Sequence, residues 1–198
     1  MLGNNLAEIL HLLQNENEAI VIPQDGIPEF DFKTQISSAL DWVRASAGEY
    51  EGDIFPIEKV LKDLQVTVIP EEMDENSEIS GYIEKRYTGW YIGVNKYEVK
   101  GRQRFTLAHE LGHLLFHKKH LLSKGRFNDV IKLFRSEENL IHIEMQANSF
   151  AADLLMPSSR LREVWPNNSL QFIADNFGVS RYAAEYRARK LLLPEKKD

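Results

Sequence analysis

The chain has 198 residues, a net charge of −6 and a hydrophobic share of 43%, which are the size and composition of one soluble globular domain. It has no cysteine. This excludes disulfides, thiolate zinc sites, iron–sulfur clusters and cysteine nucleophiles, so any metal must be bound by His, Asp or Glu. The acidic balance argues against a protein whose main task is to coat nucleic acid or an anionic membrane.

The N-terminal part of the sequence shows none of the features that direct a protein out of the cytoplasm. Residues 1–15 lack the basic stretch and long apolar core of a secretory signal. No segment approaches the ~20 consecutive apolar residues of a membrane span. We therefore expect a cytoplasmic protein that acts away from membranes.

The first thirty residues are predicted to be an extension of the main domain. Apolar residues at helical spacing predict a short helix over residues 5–15. Two prolines and a glycine then break the pattern. We expect an N-terminal helix and linker over residues 1–31, and a main domain over residues 32–198.

Two helices and a strand follow in the main domain. The apolar positions of residues 32–47 lie on one helical face, and Pro56 marks the start of a further helix. The β-branched run 66–69, closed by Pro70, predicts a strand.

A β-hairpin is predicted next. Apolar and polar residues alternate over 79–94, on both sides of the turn-forming residues 87–89. The second strand of this hairpin, residues 89–95, is expected to offer an edge with which an extended substrate can pair.

The most informative segment, residues 102–117, contains the pattern His-Glu-x-x-His. On a helix, His109 and His113 lie one turn apart on the same face, so both imidazoles can bind one zinc ion. Glu110 is rotated by about 100° from His109 and can reach a metal-bound water without binding the metal. This arrangement is typical of zinc hydrolases, in which the metal lowers the pKa of its water and the carboxylate takes the proton. The alternative is a core helix with two incidental histidines.

Gly112, inside the same helix, predicts that another chain segment passes close by. A glycine in a helix costs about 1 kcal/mol relative to alanine. The apolar residues around it predict that the helix is buried.

A zinc hydrolase needs a third protein ligand. Lys119 stands ten residues after His109, where one class of such enzymes has a third histidine, so that class is excluded. His117 is on the correct face but lies about 12 Å from His109 along a straight helix, too far to share a metal. The third ligand must come from another segment.

Glu144 is the best candidate for this ligand. It lies in a strongly helical segment that ends at Pro157, and small residues beside it allow close packing against the helix that carries His109 and His113. Asn148, one turn later, is a candidate hydrogen-bond partner of a ligand. The alternative is that Glu144 is an exposed helix carboxylate. The fallback donors are Glu137, Glu138 and Asp153.

Two blocks of sequence carry a family resemblance. They are Arg102-Gln-Arg-Phe-Thr-Leu-Ala-His-Glu-Leu-Gly-His113 and Glu144-x-x-Ala-Asn-x-Phe-Ala-Ala-x-Leu-Leu-Met-Pro157. Together they resemble the ImmA/IrrE family of bacterial zinc metallopeptidases, over about residues 36–190. Gln146 departs from the pattern, since many members have a second glutamate there.

The resemblance implies an α+β fold, which we expect to be a helix-rich, zincin-like domain with a small antiparallel sheet. It also implies that His109, His113 and Glu144 bind Zn²⁺ and that Glu110 is the catalytic base. An oxyanion donor is needed as well. The candidates are His117, His142, Tyr91 and Arg104.

The resemblance further implies a zinc-dependent endopeptidase with a protein substrate. Family members often cleave a helix-turn-helix repressor that is encoded next door, and others occur as toxins in toxin–antitoxin pairs. The alternative is therefore a toxin component, or a DNA-associated regulatory protein with structural zinc. Glu110 favours the enzyme, because structural zinc needs no base.

Residues 169–190 predict two short helices joined by a glycine turn, with Ser180 capping the second. The pattern resembles a helix-turn-helix, with Arg181, Arg187, Arg189 and Lys190 available for DNA phosphates. However, Arg187 stands where that motif usually packs an apolar residue. We therefore favour two structural helices that close the domain over a DNA contact.

Overall fold

The computed structural model describes residues 29–73, 79–124 and 137–196, and within them seven helices surround one small sheet. The helices are α1 (Glu29–Ala47), α2 (Ile57–Asp63), α3 (Lys100–Lys124), α4 (Glu137–Leu155), α5 (Ser158–Val164), α6 (Leu170–Phe177) and α7 (Arg181–Lys190). The strands are β1 (Val66–Glu71), β2 (Gly81–Arg86) and β3 (Gly89–Asn95). This confirms the α+β class. None of these helices has the length and hydropathy of a transmembrane segment.

The predicted N-terminal helix and linker fall largely outside the described residues. The first described helix, α1, begins at Glu29 and not at residue 32. The predicted inner face of this helix is confirmed, because Ile36, Leu40 and Val43 are buried. The same holds for the helix after Pro56, whose apolar residues are fully buried.

The sheet is mixed, with the strand order β1-β3-β2. The hairpin is confirmed, since β2 and β3 are antiparallel with Ile83 opposite Ile92. However, β1 runs parallel to β3, with Val68 opposite Ile92, so the prediction of a wholly antiparallel sheet is wrong. β1 and β2 run in opposite directions on the two sides of β3. Alternation of residues within a strand does not indicate which distant strand it pairs with, so the sequence pattern could not reveal the parallel pair.

The position of β3 also corrects the prediction that it offers an edge to a substrate. Its backbone is hydrogen-bonded on one side to β1 and on the other to β2. The two edges of the sheet therefore belong to β1 and β2. Gly81, at the start of β2, lies directly against Thr106 of α3, where a Cβ atom would be 2.4 Å from the Thr106 methyl carbon.

The hydrophobic core lies between the sheet and the helices. The buried face of the hairpin packs against α3, and α2 packs against β1 and α3. Full burial of one such aliphatic side chain contributes about 1.5–3 kcal/mol. α3 also packs extensively against α4, and Gly112 faces Ala147 where they meet, as the glycine predicted.

The two C-terminal helices and their turn form as predicted. Gly178 ends α6 in the left-handed conformation (φ +62°), which glycine adopts without strain. The Ser180 hydroxyl accepts a hydrogen bond from the Ala183 amide and so caps α7. The turn lies against the start of α3, because a Cβ atom on Gly101 would be 2.4 Å from the Val179 carbonyl carbon.

The helix α7 is attached to α4 by an ion pair. Arg187 pairs with Asp153, and its side chain is only 11% exposed. Ala184 and Ala188 of the same helix are buried. Arg187 is therefore directed into the domain and not toward an external phosphate.

Candidate metal centre

α3 and α4 bring His109, His113 and Glu144 together. The Nε2 atoms of His109 and His113 are 2.9 Å apart. The Glu144 carboxylate oxygens lie 3.3 Å from the His109 Nε2 and 3.3 Å from the His113 Nε2. In a tetrahedral zinc site with bonds of about 2.0–2.1 Å, ligand atoms are about 3.3 Å apart. The two distances to Glu144 match this spacing, and the nitrogen–nitrogen distance of 2.9 Å is shorter, so the three side chains are close enough to bind one ion together.

A hydrogen bond from α4 orients the first histidine. The Nδ1 atom of His109 lies 3.0 Å from the Asn148 amide oxygen. This oxygen can only accept, so the His109 Nδ1 carries a hydrogen, and the neutral ring then presents its lone pair at Nε2. Asn148 is thus the partner of a candidate ligand, as predicted.

Glu110 lies beside this group, almost fully buried. Its Oε2 atom has no hydrogen-bond partner among the residues that the structure describes. Burial raises the pKa of Glu110 to about 7, an effect that Glu144 adds to and His109 opposes. A buried carboxyl oxygen without a partner is costly in a folded protein, and a metal-bound water would satisfy it.

The electrostatics of the group suit a cation. Burial lowers the pKa of His113 to about 4, and His109 acts in the same direction. Burial opposes ionisation of Glu144, but the two histidine rings beside it hold the pKa of Glu144 below its usual range. At neutral pH, His113 is therefore neutral and Glu144 is ionised, which are the forms that bind a metal. Burial acts to lower the pKa of His109, but the carboxylates of Glu144 and Glu110 raise it, so His109 must release a proton when a metal binds.

Of the three fallback donors, Asp153 is the one whose side chain the structure describes, and it is not part of the group. Asp153 pairs with Arg187 of α7. The side chains of Glu137 and Glu138 lie outside those that the structure describes. Glu144 is accordingly the carboxylate that meets both histidines.

His117 is wrong as a predicted oxyanion donor. The helix α3 is kinked at this residue (φ −120°, ψ 16°), and the ring lies behind His113. Its Nδ1 is 3.0 Å from the His113 Nδ1, and its Nε2 is 3.1 Å from the Gln146 amide oxygen. Both ring nitrogens are thus committed on the side of His113 that faces away from Glu144. The spacing of four residues was a signal for the first contact, but no local pattern indicated Gln146.

Arg104 is also wrong as an oxyanion donor. Its guanidinium donates to the Glu58 carboxylate at 2.8 Å, to the Gly178 carbonyl at 3.1 Å and to the Phe55 carbonyl. These contacts fix the first half of α3 to the loop before α2 and to the turn between α6 and α7. Arg104 therefore has a structural role.

The other two oxyanion candidates point elsewhere. Tyr91 alternates with the buried Trp90, so its side chain projects from the opposite face of the sheet. Its hydroxyl is hydrogen-bonded to Thr88 at the hairpin turn, at 2.6 Å. His142 is exposed on α4 and lies about 200° around the helix from Glu144.

Two known proteins are similar to parts of this chain. Metallopeptidase ImmA from Bacillus subtilis (strain 168) is 29% identical over 92 residues, which cover 45% of this chain and 50% of that protein. A solved structure described as a Mycobacterium tuberculosis transcriptional regulator aligns with a TM-score of 0.54 and 17% identity, covering 80% of this chain and 49% of that one. At this identity the likeness shows the fold alone. The matched part thus spans about half the length of each relative.

The family itself is shown by a longer match. The sequence profile of the IrrE N-terminal-like domain, Peptidase M78, matches residues 61–189. This range contains the sheet, α3 and α4, and it extends through most of α7. The chain therefore belongs to the family of IrrE N-terminal-like domains.

Proposed function

We propose that this protein is a zinc-dependent endopeptidase, with Zn²⁺ bound by His109, His113 and Glu144 and with Glu110 as its general base. The observation that carries the proposal is the convergence of three ligand atoms at zinc spacing beside a buried carboxyl oxygen without a partner. Membership of a peptidase family and the similarity to a metallopeptidase support it.

A zinc ion held by His109, His113 and Glu144 would supply an acidified water and polarise the scissile carbonyl. Glu110 accepts a proton at Oε2 from the attacking water and returns it to the leaving amine. Asn148 lies against the Nδ1 of His109, so it orients the imidazole that would bind zinc through Nε2.

We further propose that the substrate is a transcriptional repressor of the helix-turn-helix class, cleaved in the cytoplasm. The resemblance to the ImmA/IrrE family supports this class of substrate. A protein of similar fold is described as a transcriptional regulator, which is compatible with a role in gene control. The alternative substrate is an antitoxin that controls the protein.

A second candidate is a DNA-associated regulator with structural zinc. It rests on α6 and α7, in which Arg181, Arg189 and Lys190 are exposed. Two observations weigh against it: Arg187 pairs with Asp153 inside the domain, and a structural zinc would not need Glu110. A gel shift of duplex DNA that weakens as salt rises would favour this candidate.

The test is co-expression with the helix-turn-helix regulator encoded beside the gene, read by intact-protein mass spectrometry. Wild type and a Glu185→Gln control, which alters an exposed carboxylate on α7, are expected to produce one discrete fragment. Glu110→Gln is expected to bind zinc but to leave the regulator intact.

Two results would contradict the proposal at different points. Cleavage by Glu110→Gln at the wild-type rate would exclude this residue as the base. An intact regulator with all three proteins, each carrying zinc, would exclude that regulator as the substrate. A library of unstructured peptides then tests endopeptidase activity independently of the regulator.

A further inference from the structure

A buried chain of hydrogen bonds runs from His113 away from the proposed metal. His113 Nδ1 contacts His117 Nδ1 at 3.0 Å, and His117 Nε2 contacts the Gln146 Oε1 at 3.1 Å. The three residues are 1%, 3% and 2% exposed. Two of them lie on α3 and the third on α4, so the chain crosses the same helix interface as the candidate ligands.

The direction of this chain follows from its ends. A histidine that binds a metal through Nε2 carries its ring hydrogen on Nδ1. The His113 Nδ1–H must then donate to His117 Nδ1, which leaves the hydrogen of the neutral His117 ring on Nε2. The Gln146 amide oxygen, which can only accept, lies at that position. The His113 Nδ1–H and the His117 Nε2–H therefore each meet an acceptor.

The opposite direction would leave His113 without a lone pair at Nε2 for the metal. It would require the Gln146 amide group to donate to His117 Nε2, and His117 Nδ1 to donate to His113. His113 would then carry its hydrogen on Nε2, the atom that lies 3.3 Å from Glu144. Whether the Gln146 amide presents its oxygen or its nitrogen to His117 thus determines which nitrogen of His113 carries the lone pair.

We propose that Gln146 and His117 are positioning residues that fix the tautomer of His113, so that its Nε2 is ready to bind the metal before the metal arrives. The inference rests on the proposed function, because it takes His113 as a ligand. It also gives a role to Gln146, the residue at which this sequence departs from the family pattern. Metal-bound histidines commonly donate to a carboxylate or a carbonyl, and here a second histidine and an amide take that place.

The direct test needs neither metal nor activity. Long-range ¹H–¹⁵N correlation spectra of the metal-free full-length protein, labelled with ¹⁵N-histidine, report which nitrogen of each ring carries the hydrogen. We expect His113 to be protonated on Nδ1 and His117 on Nε2. The reverse assignment for either ring would overturn the proposal.

Two substitutions at Gln146 test the control of the tautomer. Gln146→Leu keeps the volume but removes the acceptor, so we expect a mixture of His113 tautomers and a Zn²⁺ affinity lower by about 10–100-fold. Gln146→Glu keeps an acceptor and is expected to retain the wild-type tautomer. Gln171→Leu, on the exposed side of α6, is the matched control and should change neither measurement. Zn²⁺ affinity is measured by competition with a chromogenic chelator.

The outcomes separate this inference from the proposed function. Wild-type tautomers and zinc affinity in a folded Gln146→Leu protein would overturn the role of Gln146 while leaving the zinc site intact. If Gln146→Leu does not fold, the wild-type spectrum alone decides the tautomers. The absence of zinc binding by the wild-type protein would instead refute the proposed function.

Discussion

A Cβ atom on Gly112 would lie 3.2 Å from the Cα atom of Ala147, so α3 and α4 meet where there is no room for a larger side chain. The ring of Phe150 is equally close, at 3.2 Å from the same position. This contact sets the distance between the helix that carries the two histidines and the helix that carries Glu144. Backbone packing, together with ligand chemistry, therefore defines the candidate metal centre.

The substitution Gly112→Val is expected to force these helices apart. Overpacking of this kind costs about 1–3 kcal/mol of unfolding free energy, and displacement of Glu144 should also weaken zinc binding. Urea unfolding and chelator competition measure the two effects. Met145→Val, at a position that is 53% exposed on α4, controls for a β-branched residue in a helix. Equal stability of the two variants would show that the interface tolerates a side chain at Gly112.

Removal of the third ligand is expected to abolish tight metal binding. Glu144→Ala leaves two histidines, so the Zn²⁺ affinity should fall by more than the roughly 100-fold that accompanies loss of an outer hydrogen-bond partner. Metal content after gel filtration and chelator competition report the change. Glu185→Ala on α7 is the control, since its exposed carboxylate pairs only with Arg189 among the described residues. Full zinc content in Glu144→Ala would move the third ligand elsewhere.

The stability of the metal-free protein should depend on pH through Glu110. Its pKa is about 7 in the folded state, against an ordinary value of 4.5. Between these values the folded state binds more protons than the unfolded state, so this contribution to the unfolding free energy falls as pH rises. Glu110→Gln removes the effect. Its stability relative to wild type should therefore increase by about 3 kcal/mol from pH 4.5 to above pH 7.

Urea unfolding in the presence of a chelator measures this difference across the pH range. Glu185→Gln, which also replaces one carboxyl with an amide, provides the reference for losing a surface charge. A stability difference between Glu110→Gln and wild type that does not change with pH would contradict the assigned burial of the Glu110 carboxyl.

Two arginines of α7 should contribute very differently to stability. Arg187→Met leaves Asp153 without its partner in the interface with α4, at a cost of about 1–3 kcal/mol. Arg189 is 58% exposed and pairs with Glu185 one turn away, so Arg189→Met should cost no more than about 0.5 kcal/mol. Urea unfolding of both variants tests this. Similar losses in the two would contradict a structural role specific to Arg187.

The elements that sequence alone predicted are those that local periodicity encodes. The inner faces of α1 and α2, the hairpin and the glycine turn before α7 each depend on residues close together in the chain. The helical spacing of His109 and His113 belongs to the same class. Glu144 was predicted as the third ligand because its block of sequence is helical and resembles that of a known family.

The features that sequence did not predict depend on distant partners. Alternation in β1 does not say that Val68 pairs with Ile92, or that the two strands are parallel. Arg104 reaches a carbonyl 74 residues away, at Gly178. The helix is kinked at His117, and this residue is neither a proline nor a glycine, so nothing in the sequence indicated that its ring would lie behind His113.

The three contacts of Arg104 also determine which parts of the chain can be separated from one another. Its guanidinium connects α3 to the loop at Phe55 and to the turn at Gly178. The two helices on either side of Gly178, α6 and α7, are consequently not an autonomous module that can be detached from the rest of the domain. A shortened protein that ended at Val164 would lose both the Gly178 anchor of Arg104 and the turn that covers Gly101, so enzymology on such a fragment would describe a different molecule.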